Sequence, residues 1–105
     1  MLNLTDENFK DMTSKGVHVV DVWATWCGPC KMYGPIFEGV SKTFDDDNVS
    51  FHTMNIDTAQ KTASGLDITS VPSTIFIKDG GVVKSVSGLQ MGAVLTKAVE
   101  TLRDM

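Results

Sequence analysis

Two cysteines stand three positions apart in Trp26-Cys27-Gly28-Pro29-Cys30-Lys31, and the 105-residue chain has no others. Thiols at this spacing can close a small disulfide ring and reopen it. They are too close in sequence to staple distant parts of a fold, so their work is chemical. After a strand and at the start of a helix, such a pair reads as a redox motif. The thiolate, not the thiol, attacks a disulfide, so the site must stabilise a sulfur anion. The first amides and the dipole of a helix starting after Cys27 would do this. Lys31 adds a positive charge one turn in, and Pro29 suits a helix start, where its missing N–H costs nothing. The helix-edge position makes Cys27 the expected nucleophile. Cys30, one turn inside and expected to be more shielded, is the expected resolving thiol: it attacks the mixed disulfide and releases the reduced product.

For that step Cys30 must lose a proton, and Asp21 is the candidate acceptor and donor. In Val19-Val20-Asp21-Val22-Trp23 a carboxylate has few solvated places to go. Burial would raise its pKa and make it an acid/base near neutral pH. A side chain that escapes at a sheet edge is the alternative. Val71-Pro72 is a third piece. Proline at a strand entry is ordinary, and the residues alone leave its bond open between the commoner trans form and cis. Trp23 is expected to pack within its strand. Trp26, beside Cys27, is expected to shield the site and line a groove for extended protein segments. Zinc is the rival use of the cysteines. It would want four ligands, and only His18 and His52 remain, isolated in sequence and each expected to be an ordinary strand residue.

The elements that must position these groups follow from periodicity. Thr5 or Asp6 is expected to cap a first helix over residues 7–15, with Phe9 and Met12 on one face and Gly16 as its stop. Residues 17–23, Val-rich on both sides of Asp21, read as a central strand buried on both faces. A helix to about residue 44 carries Tyr33, Phe37, Val40 and Phe44 on one face, with a kink expected at Pro35. Strands are expected over 49–56, 73–78 and 82–87, with a short helix over 59–64 ended by Gly65. Asp79-Gly80-Gly81 between the last two strands is a hairpin signal. Met91, Val94, Leu95, Ala98, Val99 and Leu102 predict a closing amphipathic helix. The early alternation implies parallel pairing through crossover helices, and the hairpin adds an antiparallel strand. The expected fold is therefore α/β, a mixed central sheet flanked by helices on both faces. The acidic run Asp45-Asp46-Asp47-Asn48 is expected to be a solvated loop.

Composition bounds the rest. A chain that is 42% hydrophobic suits one compact domain, residues 1–105, with a core that needs no disulfide to fold. Thirteen acidic residues against nine basic give a net charge of -4, which argues against a nucleic-acid surface. The longest apolar stretch, residues 17–26, is interrupted by His18, Asp21 and Thr25 and is too short to span a membrane. The first residues lack the basic region and apolar run of a signal peptide. A reducing, cytoplasmic compartment is therefore expected, and there a cysteine pair is catalytic or metal-binding rather than structural.

Trp23-Ala24-Thr25-Trp26-Cys27-Gly28-Pro29-Cys30-Lys31-Met32 closely resembles the active site of thioredoxins. The resemblance runs over nearly the whole chain. Asp21 falls at the family's buried acid, Pro35 at its helix kink, Asn55-Ile56-Asp57 at the end of its next strand, Val71-Pro72 at its cis-proline, Lys78-Asp79-Gly80 at its hairpin turn and Gly88 at its glycine near the site. It implies a thioredoxin fold and a general dithiol-disulfide reductase with no bound cofactor. Its reversible Cys27–Cys30 disulfide would be reduced by a thioredoxin reductase, with electrons ultimately from NADPH. Disulfide-containing proteins would be its substrates, and a monomer is expected. The resemblance favours cis at Pro72, with Val71, Pro72, Gly88 and Trp26 binding substrate. Gly28 and Pro29, with Lys31, tune the pair toward reduction, since disulfide-forming relatives more often carry His in the dipeptide. The alternative it implies is a binding subunit of a larger complex, with redox activity secondary. A third is an oxidase or isomerase of an oxidising compartment. Departures from the family pattern are Thr53, where many members place Lys near the buried acid, Thr25 in place of an acid or Pro, and Ser70, Ser73 and Ser87 around the groove. The family's first strand is expected to be short or absent.

Overall fold

The computed structural model describes residues 1–44 and 48–105. The expected loop at Asp45-Asp46-Asp47 lies outside the described residues. Five strands form one sheet in the order β1-β3-β2-β4-β5. In chain order the elements are β1 (Leu2–Leu4), α1 (Phe9–Thr13), β2 (Val17–Trp23), α2 (Gly28–Lys42), β3 (Val49–Asn55), a 3-10 turn (Ile56–Thr58), α3 (Gln60–Gly65), β4 (Ser73–Lys78), β5 (Gly81–Ser87) and α4 (Gly92–Arg103). β1, β3 and β2 run parallel; β4 is antiparallel to β2, and β5 to β4. This is the mixed α/β sheet that the alternation and the hairpin signal predict.

β2 explains why Asp21 has nowhere wet to go. The strand lies between β3 and β4, and side chains alternate between two covered faces. Val17 and Val19 join a core with Tyr33, Phe37 and Val40 of α2 and Leu95, Val99 and Leu102 of α4. Val20 and Val22 join a second core with Leu4, Met54, Ile75 and Ile77, onto which Phe9 of α1 and Leu66 after α3 pack. Asp21 thus points to the α2/α4 side. The aromatic spine there is close-packed, with Phe37 edge-on to Phe51 at 5.5 Å between ring centroids, an arrangement that aromatic quadrupoles favour.

The start of the chain departs from expectation. Three residues pair as β1, with Leu2 opposite His52 and Leu4 opposite Met54, so the first strand is short but present. α1 is shorter than residues 7–15, and neither Thr5 nor Asp6 caps it. Asn8 occupies the N-cap position, and its Oδ1 accepts from the Thr5 N–H at 2.7 Å. Met12 is exposed, and Thr13 takes the buried position. Asp6 instead serves α3. Its carboxylate accepts from the Thr62 N–H at 2.8 Å, the Lys61 N–H at 3.3 Å and the Thr62 hydroxyl at 2.8 Å. Those first-turn amides have no partner inside the helix, and Ala59 at the N-cap has no side-chain acceptor to offer. These bonds hold the Asp6 carboxyl below the usual carboxylate range. Asp6→Ala should lower the melting temperature by a few degrees, and Asp6→Asn, which keeps an acceptor, by less. Equal melting of the two variants and the parent would refute this remote cap.

The hairpin and last helix mostly follow the expectation. Asp79 and Gly80 have φ of 51° and 83°, the left-handed pair that a two-residue turn requires. The Asp79 carboxylate accepts from the Gly16 N–H at 2.8 Å, and the Asp79 N–H donates to the Gly16 carbonyl at 2.9 Å. The stop of α1 is thereby tied to the hairpin. β5 starts one residue earlier than expected. α2 ends at Lys42 rather than near residue 44, and the Thr43 hydroxyl donates to the Val40 carbonyl at 2.7 Å. In α4, Leu95, Val99 and Leu102 face the core, but Met91 and Val94 are exposed.

Candidate active site

The chain leaves β2 at Trp23, turns through Ala24, Thr25 and Trp26, and enters α2 at Gly28. The Cys27 N–H donates to the Ala24 carbonyl at 3.2 Å and closes the turn. Cys27 has extended backbone (φ -96°, ψ 112°) and is the N-cap residue of α2. Its Sγ accepts from the Cys30 N–H at 3.2 Å. A sulfur therefore sits where Ser or Asp commonly supplies an oxygen, facing the unpaired first-turn amides of a 15-residue helix. Gly28 and Pro29 occupy the first turn, where proline loses no helical bond.

Cys27 and Cys30 form a disulfide, with Cα atoms 5.3 Å apart. Both are buried, at 5% and 6% exposure, so the expectation that Cys30 is the more shielded does not hold in the oxidised pair. Both cysteines cluster with Ala24, with Trp23, Ile56 and Val71 packed on them. Exposure does not distinguish the cysteines; position on the helix does. Trp26 presents its ring to solvent at 69% exposure, beside exposed Lys31 and Met32.

Val71 brings its proline to the cysteines. The Val71–Pro72 bond is cis. The Gly88 N–H donates to the Pro72 carbonyl at 2.8 Å, and Gly88 adopts φ +92°, a left-handed backbone that favours glycine. Ser73 donates to the Ser70 carbonyl at 2.7 Å, and the Ser70 and Ser87 hydroxyls are hydrogen-bonded to each other. The serines thus knit the loop before β4 to the end of β5. Sequence reasoning noted them only as departures.

Asp21 is 3% exposed, which removes the sheet-edge alternative. It lies opposite Thr53 on β3 and Thr74 on β4. Burial pushes its carboxyl up to about 7. Its Oδ1 has no hydrogen-bond partner among the described residues.

With this geometry stand three comparisons. The thioredoxin family model matches residues 1–101. The chain is 37% identical over 100 residues to the thioredoxin of Staphylococcus saprophyticus, covering 95% of each chain, and 34% identical over 99 residues to that of Bacillus subtilis, covering 94% of each. The crystal structure of Malassezia sympodialis thioredoxin superposes with a TM-score of 0.88 at 34% identity, over 98% of this chain and 91% of that one. The chain belongs to the thioredoxin family.

Thioredoxins are protein-disulfide reductases that work without a bound cofactor, act on disulfide substrates and are reduced by thioredoxin reductase. This thioredoxin-family chain, with its Cys27–Cys30 disulfide, is a general dithiol-disulfide oxidoreductase. Among the described residues no three His, Cys, Asp or Glu side chains gather to hold a metal. No helix of the described residues is long and apolar enough to cross a membrane.

The histidines of this thioredoxin are not isolated, as their sequence separation suggests. His18 and His52 stack on adjacent strands, both buried, with His18 Nδ1 and His52 Nε2 at 2.9 Å. His18 Nε2 lies 2.6 Å from the Lys15 carbonyl, which only accepts. With a neutral His18 the proton lies on Nε2, and His52 Nε2–H donates to the bare His18 Nδ1. A proton on His52 Nδ1 would have no acceptor among the described residues. Burial, with the neighbouring His18 a lesser cause, pushes His52 down to about 4. The unfolded chain takes up a proton on His52 below about pH 6.5, whereas the folded chain resists until about 4. This contribution is whole above 6.5 and is lost as pH falls through that window, by about 2 kcal/mol between pH 7 and 5. His52→Leu should lose that share of the acid sensitivity in urea titrations at the two pH values; an unchanged difference would refute the depressed His52.

Proposed function

We propose that this thioredoxin-family chain reduces target disulfides by a fixed division of labour between its cysteines. The Cys27 thiolate attacks one sulfur of the target. A Cys27–target disulfide forms, and the target's other sulfur leaves as a thiolate. Cys30, deprotonated by Asp21, then attacks the Cys27 sulfur. The second target thiolate leaves, the Cys27–Cys30 disulfide closes, and two electrons have passed to the target. Thioredoxin reductase restores the dithiol with electrons drawn ultimately from NADPH.

The observation that carries this reading is Cys27 Sγ at the N-cap of α2, accepting from the Cys30 N–H. A thiolate there gains amide donors and the positive end of the helix dipole, with Lys31 one turn in. Cys30, inside the helix, has no equivalent place. Gly28 and Pro29 keep the first turn free of side chains that would crowd the incoming sulfur. Trp26, Val71, Pro72 and Gly88 form the surface on which an extended target segment lies, its backbone beside the cis Val71–Pro72 bond. The chain works as a single domain over residues 1–105, as a cytoplasmic monomer, on proteins rather than nucleic acid or membrane.

The test is a coupled assay of insulin reduction with NADPH and thioredoxin reductase. Turnover should require both cysteines. Undiminished biological activity in the double variant Cys27→Ser, Cys30→Ser would overturn this reading in favour of a binding subunit.

A further inference from the structure

Asp21 poses a problem that this chain must solve in its own way. To accept the Cys30 proton, its carboxyl must ionise while buried. No cation helps it. The side chains facing it from β3 are Thr53 and Phe51, and from β4 Thr74 and Phe76. From α2 the titratable side chains on this side are Tyr33 and the cysteine pair, and the α4 positions buried here, Leu95, Val99 and Leu102, are apolar. On β2 itself, His18 points to the opposite face, with Val20 and Val22.

Two neutral donors are present. The Tyr33 hydroxyl and the Thr74 hydroxyl lie 2.7 Å apart, and both residues are 0% exposed. Each has one O–H proton. One proton makes the bond between them, and the other has no acceptor recorded in the structure. Thr74 is directly opposite Asp21 across the β2–β4 ladder, where facing Cβ atoms are about 5 Å apart. A surplus buried donor and an orphan buried acceptor, Asp21 Oδ1, therefore share one face of the sheet. Tyr33 also feels the Asp21 charge, which together with the larger effect of burial raises its phenol to about 12. The phenol therefore stays protonated and remains a donor throughout the working range.

We propose that the Tyr33–Thr74 hydroxyl pair is a positioning device for the resolving step, turning its uncommitted O–H proton to the Asp21 carboxylate when Asp21 ionises. It gives the anion a hydrogen bond in place of an ion pair. The inference rests on the reading of Asp21 as the proton acceptor for Cys30, but the carboxyl titration tests the hydrogen bond independently of that reading.

The experiment follows the Asp21 carboxyl directly by 13C NMR in the reduced protein, alongside the pH profile of mixed-disulfide resolution. A hydrogen bond to a charged group is worth enough to move a titration by about one pH unit. Thr74→Val keeps shape and removes the donor opposite Asp21, so it should raise the Asp21 midpoint by about that much; Tyr33→Phe leaves the Thr74 O–H free to donate and should raise it by less. Thr74→Ser, which keeps the hydroxyl, should restore it. The rate profile should move with the midpoint. An unmoved carboxyl midpoint in Thr74→Val would overturn the device. A moved midpoint with an unmoved rate profile would uphold the hydrogen bond but overturn its part in resolution, and with it Asp21's role as base. Should Thr74→Val fail to fold, Thr74→Ala carries the same outcomes.

Discussion

Cys27→Ser should lower insulin-disulfide turnover on the order of 10³-fold or more, to the rate of the reductant alone. The substitution is nearly isosteric, and a serine oxygen can keep the N-cap bond to the Cys30 N–H. The fold should survive, and circular dichroism checks this. What disappears is the nucleophile, since a serine hydroxyl is not ionised at the pH where a helix-capped thiol is. Cys30→Ser should also abolish turnover, but for another reason. The first attack proceeds and the second does not, so the chain stalls as a covalent adduct. A Cys27→Ser variant retaining a tenth of the activity would mean that Cys30 can start the reaction, and the helix N-terminus would not set direction.

The second large effect is on stability. Asp21 has a folded pKa of about 7 against 3.8 for the free group. An acid with a raised pKa costs nothing while it is protonated in both states, below about 3.8. As pH rises from 3.8 to 7 the unfolded chain ionises and the folded chain resists, so stability is progressively lost. Above 7 the full cost stands, about 4 kcal/mol for a shift of this size. Removing the carboxyl lifts that cost and leaves a small cavity. Asp21→Ala should therefore be more stable than the parent by about 3 kcal/mol at pH 8, and by little or nothing at pH 4. Urea midpoints at the two pH values check this. A variant less stable at pH 8 would mean that the buried carboxylate is compensated in the fold. Asp21→Asn should at the same time slow resolution at neutral pH. A residue kept at a cost to the fold, at the turn between substrate steps, is what a buried base requires.

The two buried titrations oppose each other. Between about pH 4 and 6.5, Asp21 removes stability as pH rises and His52 restores it. Their contributions should largely cancel across that window. Asp21→Ala should uncover the slope that belongs to His52.

Much of this was legible in the sequence, because periodicity and local chemistry are written there. Tyr33, Phe37, Val40 and Phe44 recur at helical spacing and are all buried. The unbroken apolar character around Asp21 announced a strand covered on both faces, and Asp79-Gly80 announced its turn. What was not legible depends on register and on partners far along the chain. Three residues of β1 show no period of their own, and only pairing with β3 defines them. Asp6 looks like the cap of the helix next to it and instead caps one that begins 54 positions later. His18 and His52 are 34 residues apart, and only the parallel alignment of β2 with β3 brings their rings together. Tyr33 fits an apolar stripe, which hides that its hydroxyl finds Thr74. The near-equal burial of the cysteines involves Val71, a contact made across the fold.

The central claim is directional: Cys27 attacks and Cys30 resolves. The most direct measurement offers a disulfide-bonded protein substrate to reduced Cys30→Ser and, separately, to reduced Cys27→Ser, and counts covalent adducts by intact mass. Cys30→Ser should accumulate a stable one-to-one mixed disulfide through Cys27, and Cys27→Ser should accumulate none. Equal trapping by the two variants, or trapping by Cys27→Ser alone, would contradict it.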